Sequence, residues 1–194
     1  MLITNDFAVS QPIDRVWAFF DDIPGVAACL PGAELTEELG PDEYAGQVGI
    51  RMGPVKLQFT GTATITERDD ADRRIVVDAA GADEKGRGQA AMMLTVGLTP
   101  AAKGTTVEVA QDLQLSGAAA QYGRGMVADV TAVLMGDFAT NMQARLAAIE
   151  QGLSPDQVAT AKPASGFAVA FAATKLALAR VFRRFFLPYR PNPS

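Results

Sequence analysis

The chain contains no histidine, which removes the commonest ligand of zinc, copper and non-haem iron and the commonest proton shuttle near neutral pH. Serine–histidine and cysteine–histidine nucleophile systems are thereby excluded. Cys29 is the sole cysteine. It has no partner for an internal disulfide and makes no cysteine metal cluster by itself, so nothing points to an oxidising compartment and a cytosolic home is expected. The amino terminus lacks both the basic start and the unbroken apolar run of a secretory signal, since residues 1–9 alternate apolar with polar side chains around Asp6. Charge is also sparse: 20% of the 194 residues are charged and 48% are hydrophobic, enough to bury one ordinary core with a remainder to place.

The net charge of −5 is unevenly spread. Residues 1–150 hold 11 basic against 21 acidic side chains, and residues 151–194 hold 6 against 1. An acidic body therefore carries a basic tail. Acidity of the body argues against a nucleic-acid backbone as its partner, whereas the tail's charge suits an anionic surface.

Within the body the periodicity changes twice. Residues 2–9 predict a strand with Ile3, Phe7 and Val9 on one face. Ser10 and Pro12 then predict the start of a short helix over 13–20, and Pro24-Gly25 and Pro31-Gly32 bracket a second near 27–30. From 35 to 115 apolar and polar residues alternate, as in Val55, Leu57, Phe59, Gly61, Ala63 and Ile65 against Lys56, Gln58 and four threonines. Such alternation predicts antiparallel strands with one wet face. Residues 117–150 switch to spacings of three and four through Tyr122, Met126, Val130, Val133, Leu134, Phe138, Met142, Leu146 and Ile149, which predicts a helix of about thirty residues, on the order of 45 Å long. About seven strands and one long helix, each with a single dry face, have to pack on each other, giving an α+β fold with the sheet wrapped around the helix.

Many inward positions are small: Gly61, Ala63, Ala79, Gly81, Gly86, Gly88 and Ala90 on the strands, with Gly123, Gly125 and Gly136 in the helix. Glycine inside a helix costs about 1 kcal/mol relative to alanine, which asks for a reason. One reason is an internal cavity for an apolar ligand, bounded by Phe7, Phe20, Met52, Leu57, Phe59, Ala90, Met92, Leu94, Tyr122, Met126, Val130 and Phe138, with Asp137 and Asn141 able to reach a polar headgroup. The other is close approach of helix and sheet around a filled core. Catalytic signatures are absent. Asp69, Asp70 and Asp72 lack the full spacing of a calcium loop, Gly86-Arg87-Gly88-Gln89 opens no phosphate-cradling turn, and Glu34, Asp83 and Glu84 stand in no marked arrangement for acid–base work. No metal site is expected.

Residues 151–165 are rich in proline, glycine and small polar residues without periodicity and predict a flexible linker. Within 166–194, Phe167, Phe171, Leu178, Val181, Phe182 and Phe185 share one arc of a helical wheel, with Lys175, Arg180, Arg183 and Arg184 opposite. Charges through its C-terminal half argue against a membrane span and favour an amphipathic helix lying in the interface of an anionic membrane. A helix docked on the body or on a partner protein is the competing arrangement; five phenylalanines make nucleic acid a poor partner.

The stretch Ala28-Cys29-Leu30-Pro31-Gly32-Ala33-Glu34, then Gly53-Pro54-Val55-Lys56 with Phe59 and Gly61, then Gly123-Arg124-Gly125 opening the helix of Phe138 and Asn141, resembles the CoxG family of aerobic carbon monoxide dehydrogenase over about residues 1–150. That family sits in the START-like (SRPBCC) superfamily, whose helix-grip fold is the architecture expected above. The resemblance implies a non-enzymatic accessory protein of a molybdenum-containing carbon monoxide dehydrogenase, one that brings the enzyme to the inner face of the cytoplasmic membrane and has no covalently bound cofactor. START-like domains hold apolar molecules between sheet and helix, so together with the basic tail the resemblance implies a carried respiratory quinone, menaquinone or ubiquinone. A solid-cored membrane anchor and a START-like cyclase or hydrolase are the other two readings.

Overall fold

The computed structural model describes residues 1–153, so the expected tail and all but the first three residues of the expected linker lie outside the described residues. The first strand, β1 (Leu2–Val9), leads into two short helices, α1 (Ile13–Phe19) and α2 (Ile23–Cys29). Pro12, not Ser10, is the N-cap of α1, and no side chain caps that helix. Asp22 caps α2, its Oδ1 accepting from the Gly25 N–H at 3.0 Å, with Pro24 in the first turn where its missing donor costs nothing.

Six strands follow as a meander: β2 (Ala33–Gly40), β3 (Glu43–Met52), β4 (Val55–Asp69), β5 (Arg74–Asp83), β6 (Gln89–Ala101) and β7 (Gly104–Leu115). All pairings are antiparallel, and β1 returns to the outside of β7, so the seven-stranded order is β1-β7-β6-β5-β4-β3-β2. Turns fall where the backbone needs a positive φ, as at Gly53 (61°) between β3 and β4. The β4–β5 turn is held by Asp69 Oδ1, which accepts from the N–H groups of Ala71 and Asp72 at 2.9 and 3.0 Å. Trp17 of α1 fastens onto the same turn: its Nε1 donates to Asp70 at 2.8 Å, and the Arg68 guanidinium lies 4.6 Å from the centre of its ring.

The long helix, α3, runs over Arg124–Glu150, 27 residues. It begins later than the spacing of residues 117–150 predicts, because Gly117 takes a positive φ of 65° and residues Gly117–Gln121 form a separate 3₁₀ turn. α3 packs chiefly on β1 and α2 and only lightly on β3. Its C-terminal half, through Phe138, Met142 and Leu146, closes a solid core with Val16, Trp17 and Phe19 of α1 and with Ile75, Val96, Leu98, Val107 and Val109 of the sheet. Its N-terminal half, where Val127 meets a second cluster of Ile3, Met52, Leu57 and Phe59, leaves space above β3–β6.

Candidate ligand-binding cavity

That space is a cavity of about 380 Å³, partly open to solvent, and its shape follows from strand register. Leu35, Gly46, Gly61, Gly81, Ala90 and Leu115 are successive partners across β2 to β7, so four small residues stand side by side between two leucines. The adjacent row, Tyr44, Ala63, Ala79, Met92 and Leu113, is small at its centre as well. Side chains stand roughly perpendicular to a sheet, so two rows of Gly and Ala leave a trough with a backbone floor. Glycine is required at position 61, where a Cβ would run into the Ala80 carbonyl. Val127, Val130, Thr131 and Leu134 of α3 roof the trough at helical spacing, and Ala27 and Leu30 of α2 and its C-cap close one side.

Polar side chains on the wall are few: Glu34, Tyr44, Gln47, Thr62 and Thr131. Thr131 is turned back on its own helix, its Oγ1 donating to the Val127 carbonyl at 2.9 Å. At the rim, Gln47 Nε2 donates to the exposed Glu34 carboxylate at 2.6 Å and Gln58 Nε2 donates to Gln47 at 3.2 Å. Partial burial and the nearby Glu38 and Asp42 carboxylates push the Tyr44 phenol above its ordinary value, leaving it a neutral hydroxyl.

Two polar clamps hold the cavity's ends. Buried Asp83 takes Arg87 Nε and Nη2 at 2.7 Å each, and also accepts from the N–H groups of Gln58, Lys85 and Arg87. Arg87 Nη2 further donates to the Lys56 carbonyl at 2.7 Å, so one ion pair joins β4 to the β5–β6 turn. The Arg87 guanidinium holds the Asp83 carboxyl well below the usual carboxylate range. At the other end, Asn141 Nδ2 donates to the Cys29 carbonyl at 2.9 Å and the Gly49 N–H donates to Gly32 at 2.8 Å, which locks the Cys-Leu-Pro-Gly stretch between α3 and β3. Burial pushes the Cys29 thiol up to about 11, with Arg145 opposing the shift.

The model of the CoxG family, described as a subunit of carbon monoxide dehydrogenase, matches residues 6–147, which takes in the second half of β1, the rest of the sheet and nearly all of α3. The chain belongs to that family. Nothing matches among curated protein sequences. Among solved structures, a conserved protein from Geobacillus kaustophilus is 21% identical with a TM-score of 0.67, covering 76% of this chain and 95% of its own. The Zhui aromatase/cyclase from Streptomyces sp. R1128 is 16% identical with a TM-score of 0.57, covering 79% and 99%. A Thermus thermophilus protein is 15% identical with a TM-score of 0.55, covering 77% and 99%. At these identities the likeness shows the START-like, helix-grip fold and no more.

Of the residues expected around a ligand, this CoxG-family chain places Met52, Leu57, Phe59, Ala90, Met92, Leu94 and Val130 on the cavity wall. The others lie elsewhere. Phe7 and Phe138 pack edge to face, ring centres 5.9 Å apart, and Phe20 stands beside Phe19; all three belong to the solid core beyond the cavity. Tyr122 packs on the Met52–Phe59 cluster without reaching the wall, and Met126 is 45% exposed on the far side of α3. Asn141 is committed to Cys29, and Asp137 is exposed. Nor do the helix glycines make the space: Gly123, Gly125 and Gly136 are exposed, and Gly86 and Gly88 belong to the β5–β6 turn. Leu35, Gly46, Leu113, Leu115, Ala119, Val127 and Leu134 line the wall without having been singled out; the strand register and the helical spacing from Val130 are the signals that identify them.

Phe167, Phe171, Lys175, Leu178, Arg180, Val181, Phe182, Arg183, Arg184 and Phe185, expected to meet the membrane, lie outside the described residues. Among the described residues no helix is long and apolar enough to cross a membrane, and no cluster of three or more Cys, Asp or Glu side chains could hold a metal ion.

Proposed function

We propose that the protein is a non-catalytic accessory factor of aerobic molybdenum carbon monoxide dehydrogenase that carries a hydrophobic ligand, a respiratory quinone such as menaquinone or ubiquinone, in the cavity between sheet and helix. The observation that carries this reading is the trough of glycine and alanine roofed by Val127, Val130 and Leu134. A cavity of about 150 Å³ accepts benzene, so one of about 380 Å³ takes a two-ring head with part of a chain, and its open side lets a longer isoprenoid leave. An uncharged inner wall favours a neutral guest over an ionised one. A carrier also needs no catalytic groups, and apart from rim residues Glu34 and Tyr44 the described residues place no titratable side chain on the wall.

The basic, phenylalanine-rich tail suits a carrier that works at the cytoplasmic face of the membrane, where anionic lipid attracts each cation by about 1 kcal/mol and where a lipid-soluble electron carrier resides. In this arrangement the protein links the dehydrogenase to the membrane electron-transport chain. Native mass spectrometry of the full chain, purified in mild detergent from a quinone-containing membrane, tests the proposal. An adduct with the mass of an isoprenoid quinone is expected. A chain that emerges empty, and whose melting temperature ignores every quinone offered, would leave a purely structural membrane anchor in its place.

A further inference from the structure

The cations of the body are unevenly engaged. Of the eleven Lys and Arg side chains in residues 1–150, Arg15, Arg68, Arg73, Arg74 and Arg87 each hold a carboxylate in an ion pair. Among the described residues the others hold none. Arg145 is buried, and Lys103 stands in the β6–β7 turn. The remaining four, Arg51, Lys56, Lys85 and Arg124, are all exposed and all lie at one end of the domain.

Strand direction builds that end. Arg51 and Lys56 are partners across the β3–β4 hairpin, Lys85 stands in the β5–β6 turn, and Arg124 is the first residue of α3. Hydrogen bonds tie these pieces together: besides the bond from Arg87 to the Lys56 carbonyl, the Ala118 N–H donates to the Arg87 carbonyl at 2.6 Å and Arg124 Nη2 to the Leu2 carbonyl at 2.9 Å. The two turns and the helix start carry two carboxylates, Asp83, which Arg87 neutralises, and Glu84. The opposite end has the other sign. Asp42, Asp69, Asp70 and Asp72 lie in its turns, and Arg73 and Arg74 there are paired with Asp14 and Glu67. An acidic body with its free cations gathered at one end turns that end towards negative charge.

We propose that this end of the folded body docks on an anionic lipid surface, with Arg51, Lys56, Lys85 and Arg124 over the headgroups. The cations are spread over three elements, and a lipid surface, whose anions move laterally, meets such a spacing without a matched partner for each. Apolar groups are exposed at the same end, Pro54 at the hairpin tip and Met126 in the first turn of α3, as suits an interface where cationic heads stay in water and apolar atoms enter. Arg51 and Lys56 adjoin Met52 and Leu57 along their strands, and both of those are cavity wall, so contact here brings the cavity up to the membrane. This contact is separate from the tail and does not depend on what the cavity holds.

The test uses the full chain and vesicles of phosphatidylcholine, alone or mixed with phosphatidylglycerol. A solvent-sensitive fluorophore is attached at Pro54→Cys or, at the opposite end, at Ala71→Cys; Cys29 is fully buried and stays unlabelled. On the mixed vesicles the label at position 54 should shift to the blue and the label at 71 should not, and neither should respond to phosphatidylcholine alone. Lys56→Gln and Lys85→Gln should each weaken partition onto the mixed vesicles about 5-fold at low salt, the worth of one cation beside an anionic leaflet, with melting temperatures unchanged. Lys103→Gln, at the opposite end, should leave partition unchanged. A label at 54 that stays in water while the chain sediments with the vesicles would overturn the proposal and leave an acidic protein surface as the occupant of this end. Equal losses for all three lysine variants would overturn it as well, since they would report net charge and not this face.

Discussion

Ala90 sits in the trough, paired with Gly81 on β5 and Leu115 on β7, and its methyl group is part of the cavity wall. Replacing it with phenylalanine adds a ring directly into the space. Since about 150 Å³ accommodates benzene, the ring fills less than half of the 380 Å³. Full burial of a phenylalanine stabilises by about 1.5–3 kcal/mol. Allowing for the methyl already present, the gain in an empty cavity is about 1–2 kcal/mol, or about 2–8 °C in melting temperature for a domain of this size. Were helix and sheet instead in close contact, the same change would force neighbours off their rotamers and cost about 1–3 kcal/mol. The two cases therefore differ in sign. Ligand binding adds a second readout: a quinone at a hundred times its Kd should stabilise the wild type by about 2.7 kcal/mol through mass action, and Ala90→Phe should abolish that increment. Differential scanning calorimetry of both proteins, with and without a soluble quinone analogue, measures all four quantities. An Ala90→Phe variant that melts lower than the wild type, beside a wild type indifferent to quinones, would refute the cavity argument.

The Asp83–Arg87 clamp should make stability fall in acid. A carboxyl held below its ordinary value contributes fully above about pH 4–5, and that contribution is lost as pH falls past the unfolded value near 3.9 and through the lower folded one. Asp83→Asn should accordingly melt lower than the wild type at pH 7 and converge towards it near pH 3; parallel melting curves across that range would be inconsistent with the clamp. With its thiol raised to about 11 by burial, Cys29 should be about one part in a thousand thiolate at pH 8 and closed to solvent. Ellman's reagent should react only at the unfolding rate, and rapid labelling of the native protein would contradict its placement. Truncation after Glu150 should leave a folded body, because α3 is complete there, while removing liposome binding. In the full chain, glutamine at Arg180, Arg183 and Arg184 should weaken binding mainly at low salt, since charge attraction is screened over about 8 Å at physiological ionic strength. Loss on Phe182→Ala and Phe185→Ala should persist in high salt, and identical salt dependence for the two sets would remove the interfacial model.

Sheet and helix were legible because their signals are local. The alternation through residues 35–115 needs only the period of two, and the strands appear where it runs. The helix spacing after residue 117 needs only the 3.6-residue turn, although the start at Arg124 depended on backbone angles at Gly117 and Gly123 that composition does not reveal. The motif around Cys29 was legible as a family signature, yet its physical task of joining α2, α3 and β3 through Asn141 and Gly49 appears only in three dimensions.

Abundant small residues suggested a cavity, but which of them create it was decided by register. Gly46, Gly61, Gly81 and Ala90 come from four different strands and act as one row because antiparallel pairing sets them side by side, whereas Gly123, Gly125 and Gly136 face outward and contribute no space. Phe7 and Phe138 look like ligand contacts from their chemistry alone. They are core because α3 meets β1 at its C-terminal half, leaving the opening over β3–β6 at the other. Nothing in the sequence reading singles out Asn5 or Gln111. Only the adjacency of β1 and β7, strands separated by nearly the whole domain in sequence, brings a buried acceptor and a buried donor near each other. Periodicity is written residue by residue along a chain and can be read there; a cavity is a relation among strands, and long-range pairing alone decides it.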